Sequence, residues 1–300
     1  MRGRRVLLTA GLIAALQGGA GATRSIAAQQ PRGVLLIVGG GHQPPDLVRH
    51  FVDLAGGSGT ARIAVVPMAS SEPVATGEEK AEELRGLGAR VFVLNLTRAQ
   101  AESDSAVRLL DGVTGVWFTG GDQVSITSAL LGTAVHRAIA ARYRDGAVLG
   151  GTSAGAAIMS DSMLTGNQYR APPDTNGYYG DEYDSIARHF IEIVPGLGFL
   201  HGAIVDQHFI TRERTNRLLS VILERPTLIG VGIDEGTALE VRPDGTWRVL
   251  GASAVMVFDA RGVKVTRSGA PALGAADIRL HVLPAGSVYD PRRGQATLPE

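Results

Sequence analysis

A serine set among small residues is the first candidate for chemistry in this sequence. Residues 151–155 read Gly-Thr-Ser-Ala-Gly and fit the pattern G-x-S-x-G, in which small neighbours let the chain turn sharply and expose Ser153. The apolar run 147–149 before it and the alanine-rich segment after it are typical of a strand, a tight turn and a helix. The same pattern also suits a glycine-rich turn in which Ser153 only caps a helix. Ser153 is therefore a candidate nucleophile that still needs a base.

His208 is the best candidate for that base. It follows the strand-like run 203–205 and has polar neighbours, whereas His50 and His136 fall within amphipathic helical segments, where a lone histidine is more often a surface or packing residue. His201 and His208 are seven residues apart, and neither belongs to an H-E-x-x-H or comparable metal-binding pattern.

Glu235 is the candidate that would orient the imidazole of His208. It stands just past the strand-like run 228–233, so we expect Ser153, His208 and Glu235 to meet at one edge of a sheet. Asp234 is an alternative, although a carboxylate at this position more often caps a turn. The chain order serine, histidine, acid differs from the serine, acid, histidine order of the α/β-hydrolases, which argues against a lipase or esterase.

Two backbone amides are candidates for the oxyanion hole. The amide of Ala154 directly follows the nucleophile, and Gly121 lies in a glycine turn after the strand-like run 115–118. Losing one such donor typically lowers the rate by about 10²- to 10³-fold.

The elements that must position these residues alternate between strand-like and helical patterns. The strand-like runs before Ser153 are 33–38, 63–66, 90–94 and 115–118, and the helical runs are 45–55, 76–87, 98–110 and 133–143. This succession predicts an α/β fold with a mostly parallel sheet covered by helices on both faces. Gly39–Gly41 do not complete a G-x-G-x-x-G fingerprint, and prolines follow where its helix would begin, which excludes a dinucleotide site.

The second half of the chain departs from this alternation. Residues 160–195 predict a long loop or lid, rich in glycine, proline and acidic residues, and Thr211 can cap a helix that reaches Leu223. β-rich runs at 238–241, 247–250, 255–258 and 263–265 predict antiparallel strands added to the parallel core.

The N-terminal segment predicts export. Arginines precede the apolar run 6–16, and small residues at 20–22 and 26–28 offer cleavage sites. We therefore divide the chain into a signal peptide over residues 1–28 and a single α/β domain over residues 29–300. Adjacent Arg4 and Arg5 leave twin-arginine export open beside the general secretory route, and an uncleaved membrane anchor is the alternative.

Charge and composition narrow the class of partner. Removing residues 1–28 takes away four of the 29 basic residues and leaves 25 against 29 acidic residues, a net charge near −4. Bulk charge therefore gives no support to nucleic-acid binding, and a cleaved protein needs no membrane. The sequence has no cysteine, which rules out thiol catalysis and thiolate metal sites.

Four motifs together resemble the cyanophycinases, a serine peptidase family that also contains dipeptidase E. They are the segments 119–123, 150–156, 206–217 and 232–238, which read TGGDQ, GGTSAGA, DQHFITRERTNR and GIDEGTA in that order along the chain. The resemblance spans about residues 33–257 and implies a class I glutamine amidotransferase-like, flavodoxin-like fold. It implies Ser153 as nucleophile, His208 as base and Glu235 as orienting acid.

The resemblance also implies a substrate and residues that bind it. The residues are Gln123, Asp206, Gln207, Arg212, Arg214 and Arg217. The substrate would be cyanophycin or a similar peptide polymer, a polyaspartate with β-linked arginine that is cut to β-Asp-Arg dipeptides through an acyl-enzyme on Ser153, with no metal or organic cofactor. A dipeptidase for Asp-X or isoaspartyl dipeptides and a non-catalytic peptide-binding module are the alternatives, and a homodimer is compatible with the sequence.

Two features qualify the resemblance. Residues 39–43 read Gly-Gly-Gly-His-Gln instead of the acidic Gly-Gly-Ala-Glu-Asp type of turn. On an ideal helix, Arg212 and Arg214 would point about 200° apart, so the arginines at 212, 214 and 217 cannot all face one ligand. We expect at least one of them to hold a neighbouring carboxylate, while arginine and acidic groups such as Asp206 meet the charges of the substrate.

Overall fold

Alternating strands and helices build the first half of the molecule, as the sequence predicts. The computed structural model describes residues 30–169, 178–179, 185–266 and 272–300. The helices are α1 (Pro45–Leu54), α2 (Pro73–Gly86), α3 (Arg98–Ala101), α4 (Asp104–Leu109), α5 (Gln123–Leu130), α6 (Ala134–Asp145), α7 (Ala154–Ala157) and α8 (Thr215–Glu224). The strands are β1 (Leu35–Val38), β2 (Arg62–Val66), β3 (Arg90–Val93), β4 (Gly115–Phe118), β5 (Val148–Thr152), β6 (Ser162–Gln168), β7 (Tyr178–Tyr179), β8 (Ile191–Pro195), β9 (Ala203–Gln207), β10 (Ile229–Ile233), β11 (Thr237–Val241), β12 (Trp247–Gly251), β13 (Ala254–Asp259), β14 (Arg279–Pro284), β15 (Val288–Asp290) and β16 (Gln295–Thr297).

Nine of the described strands form the central sheet, in the order β16-β15-β12-β11-β1-β5-β4-β2-β3. Strands β1, β5, β4, β2 and β3 are parallel, while β11, β12, β15 and β16 extend the sheet antiparallel on the other side of β1. Buried apolar strands such as β1 and β4 suit a parallel sheet covered on both faces. The predicted α/β fold with added antiparallel strands is confirmed.

The two faces of the central sheet belong to different hydrophobic clusters. Leu36 and Val38 of β1 face the cluster that contains α1 and α2, whereas Leu35 and Ile37 face the cluster that contains α5, α6 and α7, because successive side chains of a strand alternate. On the first face, the rings of Phe51 and Trp117 meet edge to face with centroids 4.8 Å apart. The apolar face of α1, formed by Leu47, Val48, Phe51 and Val52, is buried.

A second sheet carries two of the candidate site residues. Its order is β14-β13-β10-β9, in which β9 and β10 are parallel and the other pairs antiparallel. His208 follows β9 and Glu235 follows β10, so the expectation that they and Ser153 follow strands of one sheet is wrong. The physical reason is that β11 already occupies the free side of β1, so β9 and β10 pair with each other and with β13.

Much of the region predicted as a long loop forms antiparallel structure. β6 and β8 pair with Ser162 opposite Pro195 and Leu164 opposite Ile193. The loop prediction is therefore wrong for these strands. The part of this prediction that covers residues 170–177 and 180–184 lies outside the described residues.

Helix boundaries differ from the prediction in two places. The helix predicted over 98–110 is divided into α3 and α4, because the hydroxyl of Ser103 accepts a hydrogen bond from the amide of Ala106 over 3.2 Å and caps a new helix. Thr211 does not cap α8, which begins at Thr215; its hydroxyl donates to Asp234 Oδ1 over 2.9 Å instead.

Smaller differences lie at the ends of other elements. The strand predicted over 263–265 is reduced to an isolated bridge between Val265 and Ala275. The helix after Ser153 is a single turn over Ala154–Ala157.

The predicted signal peptide over residues 1–28 lies outside the described residues. Among the described residues, no single helix has the length and apolar character needed to cross a membrane. Within the described ranges, one pair of helices, Gln123–Leu130 and Ala134–Asp145, meets these criteria together, and it is bent by 100° at its junction.

Candidate active site

The side chains of Ser153, His208 and Glu235 form a continuous hydrogen-bond chain. Ser153 Oγ lies 2.8 Å from His208 Nε2, and His208 Nδ1 lies 2.5 Å from Glu235 Oε1. With the imidazole proton assigned to Nδ1, His208 donates to Glu235 and accepts from the serine hydroxyl. This arrangement can remove a proton from Ser153 while a carboxylate stabilises the imidazolium.

The backbone at Ser153 has the sharp conformation of a nucleophile elbow. Its φ of 53° and ψ of −110° are rare for a residue with a side chain. The turn admits no Cβ at Gly151, because that atom would lie 2.2 Å from the carbonyl oxygen of Gly155. The small residues of the G-x-S-x-G pattern are therefore required by the close approach of the backbone on either side of Ser153.

The glycine turn after β1 holds the loops that carry all three side chains. The carbonyls of residues 38, 39 and 40 accept hydrogen bonds from the amides of Ser153, His208 and Gly236, in that order, over 3.0, 2.7 and 2.9 Å. Gly40 has a φ of +112°, and a Cβ there would lie 2.3 Å from His208 Cε1. The turn that sequence reasoning excluded as a dinucleotide site is thus the element that joins the two sheets at the site.

Burial and neighbouring charges tune the base. Burial lowers the pKa of His208 below its ordinary value near 6.5, and the hydrogen bond from its Nδ1 to Glu235 opposes this shift. The positive charges of Arg212 and Arg214 lower the pKa further. His208 is therefore neutral, and able to accept a proton, at and somewhat below neutral pH.

Asp234 has the turn-capping role expected from its position. Its carboxylate accepts hydrogen bonds from the amides of Ile210 and Thr211 over 3.1 and 2.9 Å, and from the hydroxyls of Thr211 and Ser253. Burial acts to raise the pKa of Asp234, but these hydrogen bonds lower it overall. Asp234 therefore fixes the chain that follows His208, while Glu235 contacts the imidazole.

The two predicted oxyanion donors lie in adjacent turns. Gly121 and Ala154 donate no backbone hydrogen bond within the described part of the chain, apart from any within regular helices and strands. A Cβ at neighbouring Gly120 would lie 3.4 Å from Ser153 Cβ, so the turn that contains Gly121 lies directly against the turn that contains Ser153 and Ala154. Both amides therefore remain available beside the nucleophile, and their role stays a prediction.

A cavity of about 660 Å³ opens directly beside Ser153 and His208. We call it the arginine pocket, because Arg212, Arg214 and Arg217 contribute to its lining. Its other lining residues include Gln123, Gln207, Thr165 and Asn167. Gln123 also braces the wall, since its Nε2 donates to the carbonyl of Leu164 over 2.7 Å.

Asp206 and Arg217 form a buried ion pair behind this pocket. Asp206 is 0% exposed and Arg217 is 1% exposed. Arg217 Nε donates to Asp206 Oδ2 over 2.9 Å, a second bond joins Nη2 to Oδ1, and Arg214 Nη1 lies 3.8 Å from the same carboxylate. Asp206 thus orients arginines of the pocket instead of presenting an uncompensated carboxylate to a substrate.

The three arginines do not all lie on one helix, as the prediction of an angle between Arg212 and Arg214 assumed, but one of them does hold a neighbouring carboxylate, as expected. Arg212 and Arg214 precede α8, so the predicted angle of about 200° between them on a helix does not apply. Arg217 lies in the first turn of α8 and holds a neighbouring carboxylate, as we expected of at least one arginine.

Sequence reasoning missed several residues that line cavities at the site. Thr165 and Asn167 belong to β6, inside the region predicted as a loop, so no motif or spacing could have connected them to Ser153. Gln43 belongs to the turn over residues 39–43, whose sequence differs from the acidic turn of the family that the chain resembles. Its Nε2 donates to Thr152 Oγ1 over 3.2 Å, one residue before the nucleophile.

Comparisons with known proteins identify the family and the fold of the chain. The model of peptidase family S51 matches residues 35–249. The chain is 33% identical to a cyanophycinase of Synechococcus elongatus over 274 residues, which cover 88% of this chain and 81% of the relative. It is also 33% identical to a cyanophycinase of Nostoc sp. over 273 residues, which cover 87% of this chain and 86% of that relative. The crystal structure of a peptidase from an acI-B1 Actinobacterium shares the fold, with a TM-score of 0.60, 22% identity, and coverage of 82% of this chain and 98% of that one.

Proposed function

Because the chain is a serine-type peptidase that belongs to peptidase family S51, we propose that it hydrolyses cyanophycin to β-Asp-Arg dipeptides. The relatives at 33% identity are cyanophycinases, which makes this polymer the first substrate to consider. The observation that carries the proposal is the hydrogen-bond chain from Ser153 through His208 to Glu235, which opens on a pocket lined by arginines.

The proposed reaction begins with proton transfer from Ser153 Oγ to His208 Nε2 as Oγ bonds to the carbonyl carbon. The carbonyl oxygen becomes an oxyanion, for which the amides of Gly121 and Ala154 are the donors. When the carbon–nitrogen bond breaks, His208 returns the proton to the leaving amine, and Ser153 is left acylated. Water then attacks the acyl carbon as His208 takes its proton, and His208 returns that proton to Ser153 Oγ as the acyl–oxygen bond breaks. Glu235 stabilises the imidazolium in both acylation and deacylation.

The arginine pocket suits a substrate that carries carboxylates. Arginine binds a carboxylate through two parallel N–H···O bonds, and these bonds are strongest where water is displaced. In cyanophycin, each arginine is attached to an aspartyl β-carboxyl group and keeps a free carboxylate. Arg212 and Arg214 are the residues we assign to this contact, and Arg217 supports the same wall.

A dipeptidase for Asp-X or isoaspartyl dipeptides is the second candidate. The same pocket is favourable for a free aspartyl carboxylate, so its charge does not distinguish a polymer end from a dipeptide. A module that binds peptides without cleaving them is less consistent with a serine at 2.8 Å from an imidazole nitrogen.

We also propose that residues 1–28 direct export, so that the enzyme meets its substrate outside the cytoplasm. The support is the order of arginines, apolar run and small residues at the start of the sequence. An exported form would act on polymer or peptides released by other cells.

The deciding experiment compares three proteins that begin at residue 29: the wild type, Ser153→Ala, and the control Ser71→Ala, which changes an exposed serine. Each is incubated with cyanophycin and with α-Asp and β-Asp dipeptides, and the products are identified by mass spectrometry. We expect the wild type and Ser71→Ala to release β-Asp-Arg, and Ser153→Ala to release none. Cleavage of dipeptides alone favours the dipeptidase, and binding without cleavage favours the module.

A further inference from the structure

A second cavity of about 460 Å³ lies next to the nucleophile, separated from the arginine pocket by two turns of backbone. Gly120 and Thr152 line it, whereas the residues that follow them, Gly121 and Ser153, line the arginine pocket. A Cβ at Gly120 would lie 3.9 Å from Ser153 Oγ. A substrate bound at Ser153 therefore has one pocket on each side of this wall.

The second cavity carries charge of the opposite sign. Glu79 and Glu83, four residues apart on one face of α2, line it, so we call it the glutamate pocket. Lys80 also lines it, but its ammonium is already bound by the Glu83 carboxylate and by Gln43 Oε1 at 2.8 Å. Within the described part of the chain, Glu79 has no ion pair. The pocket thus keeps a surplus of negative charge.

The inner wall of the glutamate pocket favours a cation that also donates hydrogen bonds. Thr119 is 2% exposed, and among the described residues its Oγ1, which can accept a hydrogen bond, has no hydrogen-bond partner. Buried polar atoms without partners are costly, so such atoms in a cavity wall indicate a ligand. The Lys80 ammonium already occupies the face of the Trp117 ring, 5.0 Å from its centre, so Thr119 Oγ1 and the Glu79 carboxylate are the acceptors that remain for a ligand.

We propose that the glutamate pocket binds the guanidinium group of a substrate side chain while the arginine pocket binds a carboxylate. A guanidinium offers five donors in a planar fork, which match carboxylates and the hydroxyl oxygen of Thr119. The inference rests on the proposed hydrolysis of an arginine-bearing aspartyl polymer, because that substrate presents both charges near every scissile bond. Glu79 and Glu83 then determine specificity without taking part in bond breaking.

The test combines variants of the pocket with variants of the substrate. Two short aspartyl oligomers are compared, one with β-linked arginine and one with β-linked citrulline, whose urea group has similar shape and no charge. The enzymes are the wild type, the double variant Glu79→Gln/Glu83→Gln, and the control Glu82→Gln on the same helix. Glu82 faces Arg85, which keeps Glu78 as a second partner, so the control removes an exposed charge outside the pocket.

We expect the wild type and Glu82→Gln to prefer the arginine oligomer by about 5-fold in kcat/KM, the scale of partly exposed ion pairs. The double variant loses most of this preference but still cleaves the citrulline oligomer at the wild-type rate. Higher salt reduces the preference of the wild type, because exposed charges are screened.

Several results would overturn the inference. Equal cleavage of both oligomers by the wild type overturns the inference, while the proposed function stands. The same holds if the double variant keeps the full preference for the arginine oligomer, or if it loses activity equally on the arginine and citrulline oligomers. If the wild type cleaves neither oligomer, the proposed function fails and the inference fails with it. Thermal unfolding of each variant shows whether a loss reflects folding, and Glu79→Gln alone repeats the test if the double variant is unstable.

Discussion

At the scale of single residues, the site depends on backbone conformations that local sequence rarely adopts. Ser153 and His208 both have positive φ, at 53° and 50°, and such conformations cost on the order of 1–3 kcal/mol each. The amide of Ser153 donates to the carbonyl of Val38 at the end of β1, and the amide of His208 donates to the carbonyl of Gly39 in the turn that follows, so these hydrogen bonds offset the cost. The orientation of the Ser153 and His208 side chains is therefore imposed by Gly39 and Gly40 and their neighbours.

Replacing Gly40 by alanine tests this dependence. The new Cβ would overlap the imidazole of His208, and Gly40 has a φ of +112°, so we expect Gly40→Ala to lower kcat by at least about 10²-fold, the contribution typical of a positioned base. Gly57→Ala is a matched control, because Gly57 also has positive φ and nothing lies within 4 Å of its added Cβ. Similar losses in both variants would contradict a specific effect on His208.

The pKa of His208 predicts the acidic side of the pH profile. His208 must be neutral to accept the serine proton, and burial lowers its pKa, so the midpoint on the acidic side of the kcat/KM profile should lie below the ordinary histidine value near 6.5. Glu235→Gln removes an interaction that raises this pKa, so we expect the fall to move to still lower pH, with kcat reduced by on the order of 10³- to 10⁴-fold. Initial rates between pH 4 and 9 measure both effects.

The exposed variant Glu72→Gln is the control for the pH profile, since it removes a carboxylate outside the site. A midpoint above 6.5 for the wild type, or a shift to higher pH in Glu235→Gln, would show that another group controls the rate.

At the scale of elements, the arginine pocket is built where β9 meets α8. Asp206 at the end of β9 holds Arg217 in the first turn of α8, and Arg214 donates to the carbonyl of Gln207 over 2.8 Å. A cation in the first turn of a helix opposes the helix dipole, and the buried carboxylate of Asp206 offsets that cost. The pair therefore ties a strand of the second sheet to the helix that covers it.

Variants of this ion pair should affect stability more than substrate binding. Arg217→Met leaves the Asp206 carboxylate buried without its main partner, which we expect to lower the free energy of unfolding by about 3–5 kcal/mol. The double variant Asp206→Leu/Arg217→Met removes both charges and should recover a large part of this loss. Urea unfolding of Arg217→Met, Asp206→Leu and the double variant measures the coupling between the two side chains. Additive effects would show that the two side chains act independently.

At the scale of the whole molecule, the proposed export depends on residues 1–28, which lie outside the described residues. If a signal peptide is cleaved at the small residues 20–22 or 26–28, the exported protein begins between Thr23 and Gln29, and removal of all of residues 1–28 leaves a net charge near −4. We expect mass spectrometry of the exported fraction to find such an N-terminus. Arg4→Lys/Arg5→Lys should block export only if the twin-arginine route is used. A full-length protein retained in the cytoplasm would contradict export.

Features that depend on local pattern can be predicted from the amino-acid sequence alone. The G-x-S-x-G turn, the alternation of strands and helices in the first half, and the positions of His208 and Glu235 after strands could all be predicted, because periodicity and turn residues act over a few neighbours. The α/β fold follows from that alternation, and the four motifs indicate the family without reference to the fold. The catalytic roles stay predictions that the variants above test.

Which distant segments meet is a property of the folded chain. The tertiary structure divided the strands between two sheets, made β6 and β8 from a segment predicted as a loop, and paired Asp206 with Arg217. It also placed the arginine pocket on one side of the wall that carries Ser153 and the glutamate pocket on the other side. These features depend on strand pairing and on close backbone approach between residues far apart in the chain, which no local pattern encodes.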